Sequence, residues 1–281
     1  SAGRLVTAIA NRNSVEIFVL SVVPDTGLIP LACANLWTAE THALDTVREE
    51  TDRLRQAGFR AHGLVKVGSP AEAILTEADI GGFDLTVVGA RTMSWVRTRL
   101  LGSVSTRVLH ESPSSVLVLH EGPFSETGAK VLIGVDGSQE STQAVKLFSK
   151  LVDPELAQVR VTSVVSAPAL ASVPATFTDY APQLLQLEVD ALEEAKSKAR
   201  GYCQESAAVL RQAGFNVWDR VEQGPPAIRL LEEAEEDRFD LVVVGSRGSG
   251  PVGRLLLGSV SDHAARLAPA TLVARNVSPA A

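Results

Sequence analysis

The feature that most constrains the fold is that the chain repeats itself. Residues 54–59 read Leu-Arg-Gln-Ala-Gly-Phe, and residues 210–215 read the same. Gly68-Ser69-Pro70 is answered by Gly224-Pro225-Pro226, Phe83-Asp84-Leu85 by Phe239-Asp240-Leu241, and Leu101-Gly102-Ser103-Val104-Ser105 by Leu257-Gly258-Ser259-Val260-Ser261, each pair 156 residues apart. Upstream, Ser21-Val22-Val23 pairs with Ser163-Val164-Val165 at an offset of 142, so the second copy carries 14 additional residues after that segment. One offset held over so long a stretch marks a duplicated folding unit. A length of 281 residues also suits two domains better than one. We place the units at 1–121 and 129–277, joined by residues 121–129, which lack periodicity.

Each unit alternates strand and helix patterns. In the second, 130–135 reads as a strand ending at Asp136-Gly137-Ser138, and Ser138 or Ser141 caps a helix to about 152. A strand at 159–165 is followed by a loop at 166–182 rich in Ala, Pro and Ser, and then by a long helix ending at Gly214. A strand at 217–222, a helix opened by Pro225 or Pro226, a strand at 241–244, a helix after Gly258 and a strand at 271–274 complete the unit. The first unit reads as a helix at 5–10, a strand at 15–23, a helix at 39–57, and strands at 61–67, 85–88 and 116–119. Strands separated by helices pair in parallel through right-handed crossovers. The expected fold class is therefore α/β: two doubly wound, mainly parallel five-stranded sheets, the first lacking its first strand. The counterpart of Asp136 falls upstream of Ser1, and by the offset arithmetic we expect about a dozen further residues there.

Residues 239–261 carry the chemistry. An apolar β-branched run (Leu241, Val242, Val243, Val244) leads into glycines at 245, 248, 250, 253 and 258, followed by a helical pattern. Strand, glycine-rich loop and helix N-terminus form a phosphate cradle, because glycine permits close approach and the helix start offers free N–H groups. Ser259 and Ser261 add hydroxyls there, and Arg247 adds a charge-assisted contact. Ligands in doubly wound sheets lie beyond the strand C-termini at the switch point, where Asp136 and Gly245 both stand. Asp136 is thus a ligand contact, weighed against a turn or cap role. Gly248–Gly253 also spells GxGxxG, but it follows a fourth strand and no acid lies at the end of the next, so the dinucleotide reading fails. No Walker A sequence is present.

Composition excludes other classes. A net charge of −7 leaves no basic stripe for nucleic acid, and no apolar run approaches the ~20 residues that span a bilayer. Cys33 and Cys203 form neither a CxxC nor a scaffold and are read as packed free thiols of a reducing compartment. Five histidines show no metal or triad spacing and are read as surface or helix-end residues.

With these residues in place, the chain resembles the universal stress protein family in its tandem two-domain form. The family's loop pattern (Gly, two residues, Gly, nine residues, Gly, then Ser or Thr) is complete here as Gly245, Gly248, Gly258 and Ser259, and Val135-Asp136-Gly137-Ser138 matches the turn after its first strand. The resemblance implies a Rossmann-like, adenine-nucleotide alpha-hydrolase-like fold and ATP binding in the second unit, with or without Mg²⁺. It implies that Gly134, Val135 and Asp136 contact the adenosine moiety and that Val164 lines the base pocket. Ribose and phosphates would fall to Val244, Gly245, Gly248, Gly258, Ser259, Val260 and Ser261. In the first unit Thr92 replaces the second glycine and Met93, Ser94, Trp95 and Val96 fill the loop, so that site is expected to be lost. The reading is then a cytoplasmic, nucleotide-binding stress-response protein, not an enzyme, with catalytic and metal residues absent. Its partners are ATP, a second copy or an internal pseudo-dimer, and an unnamed protein. The alternative is a member that acts through protein–protein contacts without nucleotide.

Overall fold

Burial sorts the strands by their sequence pattern. The computed structural model of the chain describes residues 2–25, 32–90, 101–120, 128–166, 181–248 and 257–275, with the side chains of 2–4, 32–37 and 181–185 outside that description. In the second repeat, β5 (Ala129–Gly134), β6 (Ala157–Val165), β7 (Asn216–Gln223), β8 (Leu241–Gly245) and β9 (Ala270–Ala274) are joined by α5 (Gln139–Leu151), α6 (Ala181–Gln212), α7 (Pro226–Glu236) and α8 (Ser259–Leu267). The continuous apolar strands β8 and β9 are buried, as strands covered by helices on both faces must be. Val242 and Val243 are wholly inaccessible, each contributing about 1.5–3 kcal/mol by leaving water. The five strands run in parallel in the order β9-β8-β5-β6-β7. The order reverses between β5 and β8, which is where a doubly wound sheet opens a crevice.

The helix ends follow the sequence. Ser138 caps α5 by accepting the Ser141 N–H at 3.1 Å, which decides between the two candidate caps. Gly58 and Gly214, the matched C-terminal glycines, both take the left-handed conformation (φ 90° and 94°). Pro226 occupies the first turn of α7 with Pro225 as its cap.

The first repeat supplies α1 (Ala2–Ile9), β1 (Glu16–Val23), α2 (Ala32–Gln56), β2 (Arg60–Val67), α3 (Pro70–Ile80), β3 (Leu85–Gly89), α4 (Ser103–Glu111) and β4 (Ser115–Leu119). The parallel α/β character stands, but its partition differs from two separate five-stranded sheets. Among the described residues β1 and β2 form a two-stranded sheet, while β3 and β4 extend the other sheet to seven strands, β3-β4-β9-β8-β5-β6-β7. The seam is antiparallel, pairing Val116 with Val273 and Leu117 with Leu272. By the repeat, the position between β3 and β1 corresponds to that of β5, the central strand of the second unit. Without a ladder between them, β1 and β3 are only partly buried, and Phe18 and Val87 stand 48% and 37% exposed.

Asp84 and Asp240 each stand just before a strand and make different contacts. Asp240 accepts the Lys130 N–H at 2.8 Å, and Asp84 pairs with Lys150 of the other repeat at 3.0 Å. Cys203 is buried in the core on α6 and its thiol donates to the Arg220 carbonyl. The Cys33 side chain, Thr92, Trp95 and the GxGxxG residues from Ser249 onward lie outside the described residues.

Candidate functional site

The switch point holds a crevice of about 550 Å³. From the end of β5 come Gly134, Val135 and Asp136; from β6, Val164. β8 and its loop contribute Val244, Gly245, Arg247 and Gly248, and the start of α8 contributes Gly258, Ser259, Val260 and Ser261. All twelve residues singled out in the sequence therefore face one cavity. The first intrahelical bond of α8 is Asp262 N–H to the Gly258 carbonyl, which leaves the N–H groups of Ser259, Val260 and Ser261 without a helical acceptor.

The glycines serve this geometry differently from a generic phosphate cradle. Gly245 and Gly248 do not have positive φ. A Cβ on Gly245 would stand 2.8 Å from the backbone of Glu140 and Ser141, so this glycine lets β8 reach the first turn of α5. A Cβ on Gly248 would stand 2.7 Å from Asp136 Oδ2, so this one makes room for the carboxylate. Close approach is thus the requirement at both positions, and it is approach by the protein's own Glu140 backbone and Asp136 carboxylate. Positive φ belongs to Gly137 (77°), whose Cβ would meet the Tyr202 ring at 2.4 Å.

The polar side chains divide between structure and crevice. Asp136 Oδ1 accepts both the N–H (3.1 Å) and the hydroxyl (2.6 Å) of Ser138, so the turn role is real, while Oδ2 is turned toward Gly248. Ser261 was expected to offer its hydroxyl to a ligand. Instead it is buried and donates to the Ser246 (3.0 Å) and Gly258 (2.8 Å) carbonyls, tying α8 to the loop. Ser105 repeats this tie in the first unit, donating to the Gly89 carbonyl at 2.6 Å. Ser259 is exposed at the crevice wall.

Sequence reasoning missed Glu140, Ser141, Thr162, Ser166, Pro226 and Leu230, which complete the lining. Pro226 and Leu230 were findable, since a helix opened by Pro226 presents residue i+4 on the same face. Glu140 was not findable, because its role depends on Arg247: the two pair at 3.2 Å within the crevice lining. Below the floor, Thr162 donates to Glu233 Oε1 at 3.0 Å, and Arg160 reaches the same oxygen at 3.2 Å. Glu233 is 3% exposed and its Oε2 has no partner, so burial holds its pKa above the ordinary carboxylate value despite those bonds. Burial pulls Arg160 the other way, but hydrogen bonds to Asp237 and Glu233 outweigh it and keep its pKa raised. At the seam, His120 is 3% exposed with Nε2 on the Ala265 carbonyl at 2.8 Å, which corrects its assignment to the surface. Among the described residues no three His, Cys, Asp or Glu side chains are grouped to hold a metal. No helix of the described residues is long and apolar enough to cross a membrane.

Fold and crevice define a class: duplicated α/β units with a crevice at the switch point of the sheet. The universal stress protein family profile matches residues 2–120 and 129–274, and the chain belongs to that family. A universal stress protein of Mycolicibacterium smegmatis is 32% identical over 189 residues, 66% of this chain and 58% of that relative's length. The universal stress protein Rv2623 of Mycobacterium tuberculosis is 29% identical over 253 residues, 85% of this chain and 78% of its own. The crystal structure of a universal stress protein from Archaeoglobus fulgidus shares the fold, with a TM-score of 0.64 at 22% identity over 98% of this chain and 91% of that one.

Proposed function

We propose that the second repeat binds an adenine nucleotide, ATP in the first instance, and that the protein is a nucleotide-binding regulator of a stress response. The observation that carries this reading is the convergence of the β5, β6 and β8 ends with the start of α8 on one crevice. Val164, Pro226 and Leu230 in its lining suit a base, and the first-turn N–H groups of α8 suit phosphate. We read the site as one of binding rather than turnover and the setting as cytoplasmic. The first repeat serves as the scaffold against which the second is held, and the chain assembles with a second copy or a protein partner.

Isothermal titration of ATP tests the reading, together with mass spectrometry of any nucleotide released on denaturation. We expect binding by the natural chain and a loss of about tenfold or more in Gly248→Val and Asp136→Ala. Absence of nucleotide from the denatured protein together with absence of titratable binding would leave the protein-interaction reading in its place. Phosphate release above background, abolished in both variants, would show turnover.

A further inference from the structure

Resting on that reading, we propose that Glu140 determines the charge of the ligand that the crevice accepts. Glu140 lies in the first turn of α5 with its side chain 18% exposed, inside the cavity that Asp136 and Arg247 also line. Its carboxylate is 3.2 Å from the Arg247 guanidinium, the one cation among the described lining residues. The Glu140 backbone abuts Gly245, where even a methyl group would stand at 2.8 Å, so the first turn of α5 is held against the end of β8. Arg275 is not among the residues that line the crevice. Its guanidinium donates to the Leu109 and His110 carbonyls at the seam, and burial followed by repulsion from Arg247 lowers its pKa.

Among the described residues the ionisable lining is therefore Asp136 and Glu140 against Arg247, one net negative charge on the wall of the crevice. Each added phosphate brings further negative charge toward Glu140 while Arg247 is already neutralised, and the repulsion is weakly screened inside a crevice. A neutral nucleoside escapes this repulsion, and a polyphosphate escapes it when a divalent cation accompanies it.

Titrations of adenosine and ATP, each with Mg²⁺ and with EDTA, into the natural chain and Glu140→Gln test the assignment. In EDTA, Glu140→Gln should bind ATP about tenfold more tightly than the natural chain, with adenosine affinity within about twofold. The Mg²⁺-to-EDTA ratio for ATP should shrink in the variant. Equal ATP affinities in EDTA, with adenosine bound by both chains, would overturn the role of Glu140 and leave the nucleotide site standing. Failure of the natural chain to bind either ligand in either buffer would overturn the site and this inference together. Glu140→Ala, which must shift in the same direction, guards against an effect of the amide itself, and circular dichroism guards against misfolding.

Discussion

At the scale of single residues, several positions do something other than their residue type suggests. Gly248 is there because Asp136 is: a Cβ would stand 2.7 Å from Oδ2. Gly248→Ala should therefore lower nucleotide affinity by displacing Asp136 while shifting thermal unfolding little, and calorimetry beside titration separates the two. Gly137 combines φ 77° with the Tyr202 ring over its Cα, so Gly137→Ala should destabilise by about 1–3 kcal/mol, read from urea unfolding. Cys203 is wholly buried, and burial pushes its thiol up to about 11. At pH 8 a Cys203→Ser variant should consume a thiol reagent no differently from the natural chain until denaturant is added. Glu233 sets a pH dependence. Its folded-state pKa is raised, so the folded protein holds that proton more tightly than the unfolded chain does. The contribution is fully present below the unfolded value of 4.5 and is lost as pH rises through the folded value. Glu233→Gln, which cannot ionise, should gain stability relative to the natural chain between pH 4.5 and neutrality and match it in acid, as urea midpoints across that range would report.

At the scale of elements, two helix starts frame the crevice and are held in different ways. The α5 start is fixed by Ser138, whose hydroxyl both caps the helix and donates to Asp136 Oδ1. The α8 start is fixed by Ser261, which bonds back to the loop it follows. Removing the first of these, in Ser138→Ala, should cost about 1 kcal/mol of stability and weaken nucleotide binding as well, because the same atom steadies the candidate contact. Thermal melts with and without ATP read both effects. The retention of the Ser105 tie in the first repeat has a plain physical reading: it joins strand to helix whether or not a ligand is present. The same distinction explains why the Gly-Ser-Val-Ser run persists in both copies.

At the scale of the whole molecule, the repeats are joined by a shared sheet and by the packing of Leu5 and Ile9 of α1 into the core of the second repeat. The β4–β9 ladder is antiparallel, and its residues Val116, Val118 and Val273 are fully buried in a core that also takes in Val108, Leu109, Val242 and Ala265. Val118→Lys places an ammonium in that core without a partner and should cost at least about 3 kcal/mol. Because strands of both repeats share the core, urea unfolding of the variant should lower the midpoint of the second repeat along with that of the first. With Trp37 and Trp95 replaced by Phe, the remaining Trp218 on β7 follows the second repeat at the end of the seven-stranded sheet.

The amino-acid sequence by itself determined the duplication, the type and order of nearly every element, and the glycine loop and helix start that supply part of the crevice lining, whereas Gly134, Val135 and Val164 were expected there from the family resemblance. Each of these is local information: an apolar run, a period, a cap, or a glycine at a fixed spacing after a strand. Thus 241–244 could be read as a buried strand, and Gly245, Gly248 and Gly258 as a loop and helix start, without reference to any other part of the chain. Tertiary structure alone decided what depends on a distant partner. The β4–β9 seam arises because two edge strands, 155 positions apart between their starts at Ser115 and Ala270, satisfy each other's backbone groups. The Glu140–Arg247 pair, the buried Glu233 beneath Thr162 and the burial of His120 have the same origin. Periodicity reports which side of an element turns inward, but what it meets there is set by packing against residues far away in the chain.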